Sequence, residues 1–253
     1  FENTGTITSA TDKNVGMYAK TARNNGAYET ENKGTITLGD SASLNDPNVG
    51  MYTNATNAVT NPLINSGTIT VGKNAVGVYG FKETNSGNIN AGDGAVAMYS
   101  KGGNVDLTGG TINVGKNEAV AVYTVGNGQK ISNTGTSLNI GDTSFGFVNV
   151  GTGNTIESKV GNVNLNNDSV YVYSNDNAGV IRNSTNITSI GTSGNNYGIY
   201  AAGSIENSGN IDFNSGIGNV GVYTVNGGNA KNSGIISVGA SDPANQVYSV
   251  GMA

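Results

Sequence analysis

The sequence predicts an all-β fold, a right-handed parallel β-helix of about ten coils with three short strands each. Three observations carry this. One phrase recurs ten times, its apolar residues alternate with a period of two, and Gly- and Asn-rich corners separate its strands. No stretch has helical periodicity. The phrase is Asn-x-Gly-x-Ile-x-Val-Gly, a short polar stretch, then Val-Gly-Val-Tyr; residues 65–72 (NSGTITVG) and 76–79 (VGVY) are a complete copy.

The second strand of each unit centres on one apolar residue: Ile7, Ile36, Ile69, Ile89, Ile112, Leu138, Val163, Ile187, Ile211 and Ile236. Successive steps cluster near 24 residues with occasional longer ones, as expected of a fixed unit that carries insertions in its loops. In the third strand, alternation places Val76 and Val78 on one face and Gly77 and Tyr79 on the other. A first strand precedes each Asn, with apolar residues at Phe1, Leu63, Ile131, Ile181 and Ile205. The longest insertions are expected at 19–31, 40–48, 53–62 and 240–249, in a single 1–253 unit that reads as part of a longer solenoid. The right-handed form follows from variable coil lengths and from the hand of parallel β crossovers. A lone coil cannot offset its ordering entropy, so stability is collective.

Composition narrows the function. The chain has 40 Gly, no His and no Cys, and charged residues make up 11% of it. A Ser-His-Asp triad, a Cys nucleophile and zinc sites of the common N/S kinds are excluded. A formal net charge of -5 argues against a nucleic-acid partner, which needs a basic stripe. No cofactor or metal is expected, and no apolar run is long enough for a membrane helix.

Stacked coils turn each recurring position into a column. Asn3, Asn32, Asn65, Asn85, Asn133, Asn183, Asn207 and Asn232 read as a corner ladder of amides. Asp40, Lys73, Asp93, Lys116 and Asp142 alternate in sign through five coils and read as a surface ion-pair ladder that fixes register. Tyr18, Tyr52, Tyr79, Tyr99, Tyr123, Tyr173, Tyr200 and Tyr223, interrupted by Val148, form an outward column. Two residues earlier lie Gly16, Gly50, Gly77, Ala97, Ala121, Gly146, Gly198 and Gly221. Side by side, these rows predict a shallow trough with an aromatic wall, able to hold a sugar chain or a protein; a stacking ladder under neighbouring loops is the other reading. The binding residues it nominates are Tyr52, Tyr79, Tyr99, Tyr123, Tyr173, Tyr200 and Tyr223. Thr pairs flank Ile7, Ile36 and Ile69, but give way to Asn in the next coil, too early for an ice-binding array. A loop epitope would fall on 19–31 with 53–62. For catalysis the nearest carboxylate group is Asp168, Asp176 and Asp212, whose spacing matches no hydrolase pattern.

With these residues in view, the NSGTITVG…AVGVY unit resembles the passenger domains of the large type V autotransporter adhesins of fusobacteria. The likeness spans nearly the whole chain and rests on scaffold residues. It implies a rod at the cell surface, held at the outer membrane by a C-terminal barrel in the parent chain. It also implies adhesion to a host or bacterial cell-surface protein or glycan, with no enzymatic role. The rival readings are a carbohydrate-active β-helix enzyme and a structural surface spacer.

Overall fold

A computed structural model describes residues 1–20, 29–54, 62–159 and 161–253. The chain forms three parallel sheets of ten strands, wound as a right-handed β-solenoid. Within each sheet a strand pairs with the one three places further along the chain, so consecutive coils lie directly on one another. The third coil is representative, with strands Leu63–Asn65, Thr68–Val71 and Val76–Gly80 in the first, second and third sheets. A short 3-10 turn at Pro243–Asn245 occupies the expected insertion 240–249, capped by the Asp242 side chain. Of the other insertions, most of 19–31 and 53–62 lies outside the described residues.

Register follows the sequence phase. Ile69 pairs with Ile36 and Ile89, and the column runs unbroken from Ile7 to Ile236. The interior is one continuous apolar cluster drawn from all three sheets. Burying a Leu- or Ile-sized side chain is worth about 1.5–3 kcal/mol, so the stacked column is a principal source of cohesion.

The Asn column forms as expected. Asn3 Nδ2 donates to Asn32 Oδ1 at 2.8 Å, Asn32 to Asn65 at 2.9 Å, and Asn65 to Asn85 at 2.8 Å. Asn183, Asn207 and Asn232 repeat the chain at 2.7 and 2.6 Å. The same amide also donates to the carbonyl two residues on, as from Asn85 to Gly87 and from Asn232 to Gly234. In Asn3, Asn32, Asn65, Asn183 and Asn207 the –NH2 both closes its own corner and joins the Asn of the next coil. Asp has no proton to give and Gln is a methylene too long, which accounts for Asn at this place. Leu107 and Ser158 interrupt the column.

Strict alternation fails in the third strand, and this corrects the sequence reading. Val76 and Tyr79 face outward, while Val78 joins the core together with the small residue before it. Pairing between coils skips that small residue: Val96 opposes Val76 and Met98 opposes Val78, with no partner assigned to Ala97 or Gly77. The reason is space. A Cβ on Gly50 would lie 2.5 Å from the Gly77 carbonyl oxygen and 2.9 Å from Ile69 Cγ2. The Gly/Ala column thus faces inward and lets the third sheet close over the isoleucines of the second.

One coil departs from this rule with an internal compensation. Tyr171 occupies the Gly position and is fully buried, its ring tilted against Phe147 at 5.2 Å. The same coil carries Ser158 where others carry Asn, and the Tyr171 hydroxyl approaches the Ser158 and Thr185 hydroxyls, which bond each other at 2.6 Å. The smaller corner residue makes room for the larger ring. Burial pushes the Tyr171 phenol well above its ordinary range.

Candidate binding trough on the third sheet

The two outward residues of the third strand build a second apolar cluster, separate from the core. Val49, Val76, Val96 and Val120 form its buried floor, Tyr52, Tyr79, Tyr99, Tyr123 and Tyr173 pack against it, and Val148 stands in the tyrosine column one coil beyond Tyr123. The floor of the trough is therefore the valine column. The predicted Gly/Ala row (Gly16, Gly50, Gly77, Ala97, Ala121, Gly146, Gly198, Gly221) faces the other way and lines nothing outside, because glycine there relieves a clash inside.

The tyrosines stack. Ring centroids from Tyr52 to Tyr79, Tyr99 and Tyr123 are 5.3, 4.9 and 5.4 Å apart, with interplanar angles of 26°, 1° and 6°. Tyr18 extends the stack below at 5.4 Å. Aromatic faces are thus turned on one another, which leaves ring edges and hydroxyls for the surroundings. Burial, reinforced by the Tyr79 neighbour, holds the Tyr52 and Tyr99 phenols above their ordinary range, so they remain neutral donors.

Between Val49 and Tyr123 the surface is concave, with a volume of about 500 Å³. Its remaining wall comes from Leu44, Asn45 and Pro47, in the expected insertion 40–48. Sequence reading placed the epitope on 19–31 and 53–62, which fall mostly outside the described residues, and did not assign 40–48 to the trough. The signal was available: Leu44 and Pro47 are the only large apolar residues in an otherwise polar insertion.

Of the seven nominated tyrosines, Tyr52, Tyr79, Tyr99 and Tyr123 line this trough. Tyr173, Tyr200 and Tyr223 form a separate stack at 5.5 and 5.2 Å. There the floor positions hold Phe145 and Tyr197, whose rings meet the stack edge-on, so the groove is filled.

The Asp40–Asp142 column is present but works differently from the ion-pair ladder expected. Only Lys116–Asp142 closes as a pair, at 3.2 Å. The aspartates instead accept backbone N–H groups from the next coil: Lys73 N to Asp40, Lys116 N to Asp93, both at 2.8 Å, and Asn167 N to Asp142 at 3.1 Å. The Asn167 amide is the main cause that holds the Asp142 carboxyl below its usual range, and Lys116 adds to it. A backbone amide is fixed in place, whereas a lysine ammonium loses entropy to hold one geometry.

A true alternating column lies elsewhere and went unread. Glu157, Arg182, Glu206 and Lys231 stack on the outer face of the first sheet. Lys130 and Lys159 both reach Glu157, and Arg182 reaches Glu206 at 3.4 Å. A polar groove of about 350 Å³ runs along it, but its charges already largely satisfy one another.

The carboxylates proposed for catalysis are not brought together. Asp168 sits at the corner between the second and third sheets and accepts from Asn195. Asp176 is buried at the next corner, accepting the Asn154 and Ala178 amides. Asp212 lies on the outer face of the second sheet and accepts from Asn214. Among the described residues no group of three or more acidic side chains is placed to hold a metal ion. Comparison of the chain with protein-family models, curated proteins and solved structures returns no match.

Proposed function

We propose that the chain is the binding rod of a bacterial cell-surface adhesin, displayed outside the cell and joined in its parent to an outer-membrane anchor. One observation carries this reading: four coils build an apolar trough outside the core, with no charged side chain among the described residues that line it, where a spacer would need only a solvated surface. The stacked scaffold supplies rigidity, so the trough is preformed and loses little entropy on binding. The rival enzyme reading loses support because its three candidate carboxylates stand apart and each is engaged by local amides.

The test is adhesion of beads coated with the chain to host epithelial cells and to other bacteria. Coated beads are expected to bind, and the double substitution Tyr79→Ala/Tyr99→Ala is expected to weaken binding about tenfold, the scale of losing one or two anchor residues. Circular dichroism checks that the variant keeps its fold. Beads that bind neither cell type would make the rod a spacer.

A further inference from the structure

We infer that the occupant of the trough is an uncharged linear glycan, lying along the solenoid axis with one sugar per coil. This deepens the adhesin reading and rests on it for biological meaning, but the recognition is argued from geometry alone. Among the described residues the trough is lined by Tyr, Val, Leu, Asn and Pro, with no Asp, Glu, Lys or Arg. An anionic polymer would find no counter-charge there and a cationic one no partner. Neutral polar chains remain.

The repeat selects among them. The wall presents a phenol edge every 4.9–5.4 Å. That is close to the advance of one pyranose in an extended, equatorially linked chain. An extended peptide sends alternate side chains to one face, about 6.6–6.8 Å apart, and falls out of step within two coils. Nor can a peptide add to the sheet as a strand, because the backbone groups of the third sheet are paired from coil to coil. A second copy of the rod shares the repeat, and a self-association measurement separates it from a glycan.

The chemistry fits each part of a sugar. The Val76 and Val96 floor takes the apolar C–H face of the ring. The Tyr hydroxyls, which hold no hydrogen bond among the described residues, can each donate and accept one toward ring hydroxyls. Because the aromatic faces are already stacked, recognition is by ring edge and hydroxyl, not by laying a sugar flat on a tyrosine. Four tyrosines imply four sugars.

Calorimetric titration of the full chain with cello- and chito-oligosaccharides of two to six units tests this. Affinity is expected to rise up to the tetrasaccharide and then level off. Tyr79→Ala should weaken tetrasaccharide binding about tenfold and Tyr79→Phe by several-fold, while Arg182→Ala, in the charged groove, leaves it unchanged. Absence of binding by the folded chain would overturn the inference. So would binding that ignores chain length or the Tyr79 variants, or a preference for extended neutral peptides. Self-association abolished by Tyr79→Asp without sugar binding would overturn it in favour of a second copy. The adhesin reading is read separately: beads that adhere while no oligosaccharide binds sink only the glycan, and sugar binding without adhesion sinks only the adhesin.

Discussion

Single residues on the inside of this rod carry requirements that their type alone meets. Asn65 is buried, accepts from Asn32 and donates to Asn85. Asn65→Asp removes both amide protons and buries a charge, so it should cost at least about 3 kcal/mol in urea denaturation at neutral pH. The buried carboxyl titrates above its unfolded value, so the penalty exists above the unfolded carboxylate range and is relieved as pH falls through it. Glu83 already shows this physics in the native chain. It stands in the apolar column between Leu63 and Val105, fully buried, and neither carboxylate oxygen finds a hydrogen bond of good geometry. Gly80 leaves the space, since a Cβ there would lie 3.0 Å from Glu83 Oε1. Burial drives the Glu83 carboxyl well above its ordinary range, only partly offset by Ser100 and the Gly80 backbone. The native state then binds the proton that the unfolded chain releases, so stability declines as pH rises from the unfolded carboxylate range toward the folded value. Glu83→Gln should flatten that decline and match or exceed the wild-type stability at pH 8. An unchanged pH slope in denaturant melts would show that Glu83 does not titrate in this way.

At the scale of the strand and corner, sequence and structure part company for a physical reason. Columns were legible because a repeat displays its own register: once Asn65 and Asn85 were aligned, Ile69 and Ile89 followed. The direction of Gly77 was not legible, because a period of two holds only while the strand is regular, and the residue that breaks it has no side chain to betray its face. The trough was therefore expected with the wrong floor and with a wall of seven tyrosines, of which Tyr52, Tyr79, Tyr99 and Tyr123 line it. The aspartate column was read as charges because Lys and Asp alternate in the sequence, whereas the partners that matter are backbone amides, invisible to any side-chain pattern. Corner glycines show the same dependence on backbone. Gly87 has no special dihedral, but a Cβ there would lie 2.1 Å from the Gly67 carbonyl oxygen and 2.7 Å from the Ser66 carbonyl carbon. The coil beneath leaves no room, and it cannot move without breaking the Asn65–Asn85 bond above it. Gly87→Ala is thus expected to cost about 3 kcal/mol, an overpacking penalty against backbone, whereas Gly128→Ala has open space and only its positive φ to contend with. Equal denaturation midpoints for Gly87→Ala and wild type would remove the close-approach argument for the N-x-G corner.

The whole molecule behaves as a stack whose unit is the coil, not the strand or the sequence motif. Each coil touches only the coils on either side, so stability is a sum of unit and interface terms. Removal of one entire lap should leave every column intact. Deleting residues 65–84 joins Ile64 to Asn85, which then takes the place of Asn65. Asn32 meets Asn85, Ile36 meets Ile89, Val49 meets Val96, and Tyr52 meets Tyr99, each pair a repeat of a contact type that already exists. The deletion also removes Glu83, and Val105 comes to rest on Leu63. Deleting only residues 65–74 removes a similar kind of sequence but takes out the second-sheet strand Thr68–Val71, leaving a coil that cannot span the core and unpaired edges on both neighbours. The full-lap variant is expected to keep the wild-type far-ultraviolet spectrum and a cooperative urea transition, with a denaturant slope lower by about a tenth in proportion to the surface lost. The half-lap variant should fail to reach that spectrum or aggregate. Two deletions with the same outcome would mean that stacking is not the rule that holds the rod together; the glycan length at which affinity levels off should also shorten by one sugar in the full-lap variant, because one tyrosine leaves the wall with its coil.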